Sequence, residues 1–104
     1  MIQTMTPAEL KEHLKQNTVL LIDVREPSEH AQESIAGSLL IPLGQLSCKK
    51  LPSKKKIVVV HCRFGKRSAE ACKKLQEEDP SLEVYSLEGG ITAWIKAGYP
   101  VLSG

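Results

Sequence analysis

Two short apolar runs constrain this chain most. They are Val19-Leu20-Leu21-Ile22-Asp23-Val24 and Ile57-Val58-Val59-Val60-His61, both rich in β-branched side chains. Each is too short for a helix. Neither alternates apolar with polar residues as a half-exposed strand does. Both therefore read as strands buried on both faces, and such strands need cover on both sides of their sheet.

Helical signals separate the strands. Met1–Met5 reads as a short first strand. Thr6-Pro7-Ala8-Glu9 is a capping box with proline at the first helical position, and Leu10 and Leu14 give that helix one apolar face. Its His13 sits among charged residues and reads as a solvated surface histidine. Pro27-Ser28-Glu29 opens a second helix, with Ser28 as its cap, running to about Ser34 and broken by Gly37. Leu39-Leu40-Ile41 is a third strand, stopped by Pro42. Leu43 to Lys50 forms a short helix with Leu43 and Leu46 inward and Cys48 as a partly buried spare thiol. Leu51-Pro52-Ser53 turns the chain. Lys54-Lys55-Lys56 then reads as a solvated lead-in to the strand at Ile57, in preference to a docking patch for an acidic partner.

The next helix runs from about Ser68 to Glu78. Ala69, Ala71, Cys72 and Leu75 form its inner stripe, which makes Cys72 a small core residue. A fifth strand covers Leu82–Leu87. Glu88-Gly89-Gly90 is a turn, and Ile91–Ala97 is a last helix carrying Trp94, closed by Gly98 and Pro100. Strand and helix alternate throughout. That pattern predicts an α/β fold with a parallel sheet flanked by helices on both faces. At 104 residues the chain has room for a single domain, residues 1–104, with one sizeable core.

Composition excludes several roles. A net charge of +2 does not make a nucleic-acid footprint, and the cations are not interleaved with aromatics. The apolar runs fall far short of a membrane span. The N-terminus has no basic region followed by an apolar core, so it is not read as a secretory signal. Three cysteines, an odd number with no C-x-x-C, argue against a disulfide framework and place the chain in a reducing, cytoplasmic setting. No cysteine or histidine pair has ligand spacing, so no metal site and no cofactor are expected.

The chemistry concentrates at Cys62-Arg63-Phe64-Gly65-Lys66-Arg67-Ser68. Here a strand ends on a thiol and a helix begins shortly after. Three cations fall within five residues after Cys62, and no acid appears before Glu70. The positive end of the following helix adds about 0.3–1 kcal/mol for an anion near it. Gly65 lets successive backbone N–H groups turn inward as an anion nest. These effects stabilise a thiolate, a bound oxyanion or a charged persulfide. His61 is adjacent to Cys62, but successive residues at a strand end point to opposite faces, so it is poorly placed to take the thiol proton. Asp23 and Arg25 at the end of their strand read as structural, with Asp23 capping nearby amides and Arg25 pairing with Glu26 or Glu29. The residues alone leave two chemistries open. One is sulfur transfer through Cys62; the other is phosphoryl or arsenate chemistry with Cys62 as nucleophile and Arg67 gripping the oxyanion.

The same loop resembles the C-R-x-G-x-R-S loop of rhodanese-like sulfurtransferases. Leu21-Ile22-Asp23-Val24-Arg25-Glu26 with Glu29, Ile35, Gly37 and Ile41-Pro42 resembles the family's D-V-R-x-x-x-E…I-x-G…I-P segment. Leu87-Glu88-Gly89-Gly90-Ile91-Thr92-Ala93-Trp94 with Gly98-Tyr99-Pro100-Val101 resembles its closing L-x-G-G-x-x-x-W…G-Y-P-V block. The resemblance implies a five-stranded parallel sheet and a cysteine that accepts a sulfane sulfur from thiosulfate or a similar donor. That sulfur then passes to cyanide or to a thiol acceptor, a small molecule or a thioredoxin-like protein. Cys62 would be catalytic, and Arg63, Phe64, Gly65, Lys66, Arg67 and Ser68 would bind the substrate. Asp23, Arg25, Glu29 and Trp94 match positions that look structural. Phosphatase relatives enclose five residues between cysteine and arginine, whereas four lie between Cys62 and Arg67, which favours sulfur. Two positions depart from the pattern: Glu33-Ser34 replaces Gly-His, and Phe64 is bulky. Phe64 would either wall the pocket or form a rim that docks a partner.

Overall fold

The computed structural model describes residues 2–52 and 57–103, so Ser53 and the lysine run at 54–56 lie outside the described residues. The elements follow in the order β1 (Thr4–Met5), α1 (Pro7–Gln16), β2 (Val19–Asp23), α2 (Pro27–Gln32), β3 (Glu33–Ser34) and β4 (Leu39–Leu40). After two 3-10 turns come β5 (Ile57–His61), α3 (Lys66–Glu78), β6 (Val84–Leu87), α4 (Gly90–Lys96) and β7 (Leu102–Ser103). Five strands form one parallel sheet in the order β1-β6-β5-β2-β4. The two apolar runs lie side by side at its centre, Val19 opposite Ile57 through Asp23 opposite His61.

Alternation along these strands sends side chains into two separate cores. Ile22, Val58 and Val60 face α3, packing with Ala71, Cys72 and Leu75. Leu21 and Val59 face the other way, with Leu10 of α1 and Ile91 and Trp94 of α4. Val58, Val59 and Val60 have no exposure at all, which is why no polar residue interrupts the run. The inner stripe of α3 is Ser68, Ala71, Cys72 and Leu75, with Ser68 fully buried and Ala69 only partly so. The Thr6–Glu9 capping box forms as expected: the Thr6 N–H donates to Glu9 Oε1 at 2.9 Å and the Glu9 N–H to Thr6 Oγ1 at 3.2 Å.

The structure corrects several boundaries. The N-cap of α2 is Glu26, not Ser28; Pro27 is the first helical residue, and the Glu26 N–H donates to Glu29 Oε1 at 3.0 Å. That helix stops at Gln32, because Glu33 and Ser34 pair antiparallel with Ser103 and Leu102 instead of continuing it. The 43–50 segment is two 3-10 turns, Leu43–Gln45 and Cys48–Lys50, split where Leu46 turns extended and buries its side chain. Cys48 is buried, not partly so, and its Sγ donates to the Leu75 carbonyl at 3.5 Å. The β6 strand begins at Val84, since the Leu82 N–H is held by the Asp79 carbonyl in a turn. The last helix starts at Gly90.

Gly90 shows why. It has φ of +63°, and a Cβ built on it would lie 2.5 Å from the Arg63 carbonyl oxygen and 2.6 Å from that of Cys62. Only glycine lets α4 approach the Cys62 loop this closely. Gly90→Ala combines left-handed strain with overpacking against backbone, and we expect it to destabilise by about 2–5 kcal/mol. At Gly65, φ is +115° but an added Cβ meets only ordinary contacts near 3.8 Å, so Gly65→Ala carries the conformational strain alone. Urea unfolding of the two variants should rank Gly90→Ala well below Gly65→Ala; equal stabilities would show that the close approach is not a constraint.

Candidate active site

The site forms where β5 runs out of the sheet. His61 is its last residue, and Cys62 follows with 1% of its surface exposed. The loop from Cys62 to Gly65 then turns into α3. That helix begins at Lys66, two residues ahead of the expected Ser68, because Gly65 itself occupies the N-cap with φ of +115°.

The loop is gripped from one side by α4. The Ile91 N–H donates to the Cys62 carbonyl at 2.9 Å, and the Thr92 N–H donates to the Arg63 carbonyl at 3.1 Å. These are first-turn N–H groups of α4 that would otherwise lack partners. In a trans peptide the N–H points opposite to the C=O. Fixing those two carbonyls on α4 therefore turns the N–H groups of Arg63 and Phe64 away from it.

On the other side, N–H groups converge on sulfur. Cys62 Sγ accepts from the Gly65 N–H at 3.0 Å and from the Ser68 N–H at 3.3 Å. Ser68 Oγ lies 3.6 Å from Sγ, donates to the Gly65 carbonyl at 3.0 Å, and sits 2.6 Å from Ser86 Oγ. A hydroxyl has one proton and two lone pairs. With the Ser68 proton on Gly65, its oxygen accepts from Ser86 and from a Cys62 S–H. When the sulfur carries charge, the same proton can turn to it. Hydrogen bonds to an anion are about twice as strong as neutral ones.

The cations divide into two sets. Arg67 is half-buried and makes a bidentate pair with Glu29, at 2.8 and 3.0 Å. The Arg67 hydrogen bonds draw the Glu29 carboxyl down to about 2 against the opposing effect of burial, and Glu29 in turn raises Arg67. Arg63 and Lys66 are exposed, and the Arg63 guanidinium lies 5.2 Å from the centre of the Phe64 ring. Phe64 is 64% exposed, so of the two places open to it, it takes the rim.

Behind the loop lies a second polar cluster. Buried Asp23 accepts from Arg25 Nε and Nη2 at 2.9 and 2.8 Å and lies 2.8 Å from His30 Nδ1. Arg25 Nη2 also donates to the Glu33 carbonyl at 2.6 Å. The partner of Arg25 is thus Asp23, not Glu26 or Glu29: Glu29 is taken by Arg67, across the site. Burial raises the Asp23 carboxyl, but the Arg25 hydrogen bonds, His61 and His30 together leave it lowered. His61 is fully buried on the face opposite Cys62, and neither ring nitrogen has a hydrogen-bond partner among the described residues. Burial presses its titration down to about 4, with Asp23 opposing and Arg25 adding to the effect. Burial, reinforced by Cys62, pushes the Cys72 thiol up to about 12.

Sequence reasoning missed three contributors: Ser86, Gly90 and the first-turn amides of Ile91 and Thr92. A signal existed for Ser86, a serine within the otherwise apolar alternation of β6. For Gly90 the paired glycines pointed to close backbone approach but not to its target. Among the described residues no group of histidines, cysteines and carboxylates could hold a metal ion, and no helix is long and apolar enough to cross a membrane.

With this geometry in hand, comparison with known proteins places the chain. The rhodanese-like domain model matches residues 6–97, and the chain belongs to that family. It is 38% identical over 87 residues to a sulfurtransferase of Allochromatium vinosum, a match covering 82% of this chain and 79% of that protein. It is 35% identical over 100 residues to an uncharacterized protein of Synechocystis, covering 95% of this chain but 55% of the longer relative. Its fold superposes on a rhodanese-related protein of Thermoplasma volcanium with a TM-score of 0.85 at 38% identity, covering 96% and 97% of the two chains. The fold class expected from the alternating runs is the one observed, and relatives named as sulfurtransferases support a transferase.

The buried histidine makes a pH prediction. The unfolded chain protonates His61 below its ordinary value of 6.5, whereas the folded chain resists until about 4. The unfolded state therefore binds more protons in that window, and stability should fall as pH drops through it. Glu29 acts lower down: its pairing with Arg67 stabilises above 4.5 and is lost as pH falls toward 2. Urea midpoints from pH 7 to 3 should show both stages. His61→Leu should flatten the upper stage and leave the Cys62 chemistry intact; a well-folded His61→Leu protein with an inert thiol would make His61 part of the reaction.

Proposed function

We propose that this rhodanese-like domain, taken as one unit over residues 1–104, is a cytoplasmic sulfurtransferase of the thiosulfate sulfurtransferase type that works through a Cys62 persulfide. The observation that carries the proposal is the pair of backbone N–H groups, from Gly65 and Ser68, aimed at Cys62 Sγ from 3.0 and 3.3 Å. In the first half-reaction the Cys62 thiolate attacks the outer sulfur of thiosulfate or a similar donor. The donor's S–S bond breaks, sulfite leaves, and the outer sulfur stays on Cys62 as a persulfide anion. In the second, cyanide or a thiolate takes that sulfur and Cys62 returns as thiolate. Charge and atoms balance in both steps, with no cofactor or metal required.

The loop supports each part. Backbone N–H groups already aimed at sulfur need no reorganisation when charge appears there, which is the condition for efficient electrostatic stabilisation. Arg63 and Lys66 sit exposed at the rim, where cations draw an anionic donor toward the loop. Arg67 is pinned by Glu29, and its role is to anchor the α3 end of the loop while contributing a partly compensated charge. Phe64 and Gly65 complete the substrate-facing loop.

The test is direct. Incubation with thiosulfate followed by intact-mass measurement should add one sulfur atom to the wild-type chain and none to Cys62→Ser. Cyanide should then release thiocyanate only from the wild type. Absence of the added sulfur on a folded wild-type chain would overturn the reading, and Cys62-dependent hydrolysis of an aryl phosphate would replace it with phosphoryl chemistry.

A further inference from the structure

We propose that Ser86 is a positioning residue for Cys62: its buried hydroxyl holds Ser68 as a donor to the sulfur once the sulfur is charged. The inference rests on Cys62 acting as a thiolate, as the reading above requires. It goes beyond that reading by giving a role to a residue on another strand that makes no hydrogen bond to the sulfur itself.

Packing does not explain a serine at this position. Ser86 lies on β6 opposite Val60 of β5, and alternation puts it on the α3 face with Val84, two residues earlier. Val84 has no exposure and Ser86 has 3%, so an aliphatic side chain is what such a site calls for. The strand is paired on both sides, by β5 and β1, and the Ser86 N–H donates to the Gln3 carbonyl at 2.9 Å. With the backbone fixed, only the side-chain torsions orient the hydroxyl. Among the described residues its hydrogen-bond partner is Ser68 Oγ, at 2.6 Å.

Protons and lone pairs assign the direction of that bond. Ser68 Oγ faces the Gly65 carbonyl at 3.0 Å, Ser86 Oγ at 2.6 Å and Cys62 Sγ at 3.6 Å. A carbonyl only accepts, so while Cys62 is a thiol the single Ser68 proton goes to Gly65, and Ser86 and the S–H both donate to Ser68. When Cys62 loses its proton to solvent, the S–H donor is gone and the Ser68 proton turns to the sulfur. Ser86 is then the donor that remains to Ser68 Oγ. The chain from Ser86 through Ser68 to sulfur runs in one direction, and bonds in such a chain strengthen one another. Without Ser86, the fully buried Ser68 oxygen lacks a donor in the charged state alone, because in the neutral state the S–H still supplies one. The Ser86 hydroxyl therefore favours thiolate over thiol.

The charged and titratable groups around Cys62 are untouched by this hydroxyl. Arg63, Lys66 and Arg67 lie on the loop and α3, with Glu29 of α2 on Arg67, and Cys72 sits one turn beyond Ser68. Asp23 and His61 lie on the opposite face, and Glu88 after β6 is exposed. Ile91 and Thr92, the α4 residues at the loop, do not titrate.

A mutant cycle read by alkylation tests this without any sulfur donor. The rate at which iodoacetamide modifies Cys62, located by peptide mass, is followed from about pH 6 to about pH 10. The proteins are wild type, Ser86→Ala, Ser86→Thr, Ser68→Ala and the double variant Ser68→Ala with Ser86→Ala, each checked for folding by circular dichroism. We expect Ser86→Ala to slow alkylation about fivefold at neutral pH and to displace its rate profile toward higher pH, and Ser86→Thr, which keeps the hydroxyl, to restore it. In the Ser68→Ala background the Ser86 substitution should add nothing, whereas a residue acting through packing alone would slow both backgrounds alike. Wild-type kinetics in folded Ser86→Ala, or equal losses in both backgrounds, overturns the inference. If thiosulfate loads sulfur while Ser86→Ala alkylates like the wild type, the persulfide reading survives and this one falls. If the cycle behaves as expected and no sulfur loads, this one stands and the persulfide reading falls.

Discussion

The contact between the first turn of α4 and the loop after β5 is the constraint on which the site depends. Two N–H groups of that turn hold the carbonyls of Cys62 and Arg63, and the absence of a side chain at Gly90 allows the approach. Peptide planarity converts this into orientation. Carbonyls fixed toward α4 mean amides fixed away from it, and a loop whose amides share one side is an anion nest in waiting. The sulfur at its base already accepts from two further N–H groups, those of Gly65 and Ser68. The two helices divide the work: α4 sets the plane of the peptides, and α3 supplies through Ser68 an amide and a hydroxyl at the sulfur itself.

Charge is arranged around that frame in layers of decreasing rigidity. Deepest is the Asp23, Arg25 and His30 cluster, in which both Asp23 carboxylate oxygens accept from Arg25 and Arg25 ties the end of β2 to the Glu33 carbonyl. Next is Glu29 with Arg67, bidentate but half-exposed, joining α2 to the start of α3. Outermost are Arg63, Lys66 and Lys96, which reach solvent. Buried ion pairs fix geometry and contribute little net attraction for a diffusing ligand, because their fields cancel nearby. Exposed cations do the reverse: they steer, and their effect is screened by salt. Of the three cations read from the loop's sequence, Arg67 is held in an ion pair, and Arg63 and Lys66 reach solvent.

The strongly patterned parts of the fold were legible in the sequence. The two apolar runs announced central strands, since nothing but full burial explains Val58, Val59 and Val60 in succession, and the Thr6–Glu9 box announced a helix. The thiol and its loop were legible for the same local reason: a cysteine, a glycine and clustered cations at a strand-to-helix turn form a pattern of adjacent residues. What escaped was non-local. The ribbon of β3 and β7 joins residues some seventy positions apart, and two-residue strands carry no periodicity. The Arg67–Glu29 pair spans 38 positions and Ser68–Ser86 spans 18. Arg25 found Asp23 two residues away instead of a glutamate, because a buried carboxylate at the end of β2 must be paired and the fork of Arg25 lies within reach.

His61 illustrates how the two faces of the sheet divide structure from chemistry. It follows the strand's alternation onto the α4 side, beside Asp23, while Cys62 falls on the α3 side, beside Ser68. A base on that far face is poorly placed to take the thiol proton. Activation by fixed donors has a consequence that activation by histidine does not. A histidine at work would impose its own titration on the rate near neutral pH. Amides and a serine hydroxyl do not titrate, and the guanidinium of Arg67 stays charged throughout. The acid sensitivity of the protein should follow His61 and Glu29. Stability can therefore fail in acid without the amides and hydroxyl at the sulfur having changed.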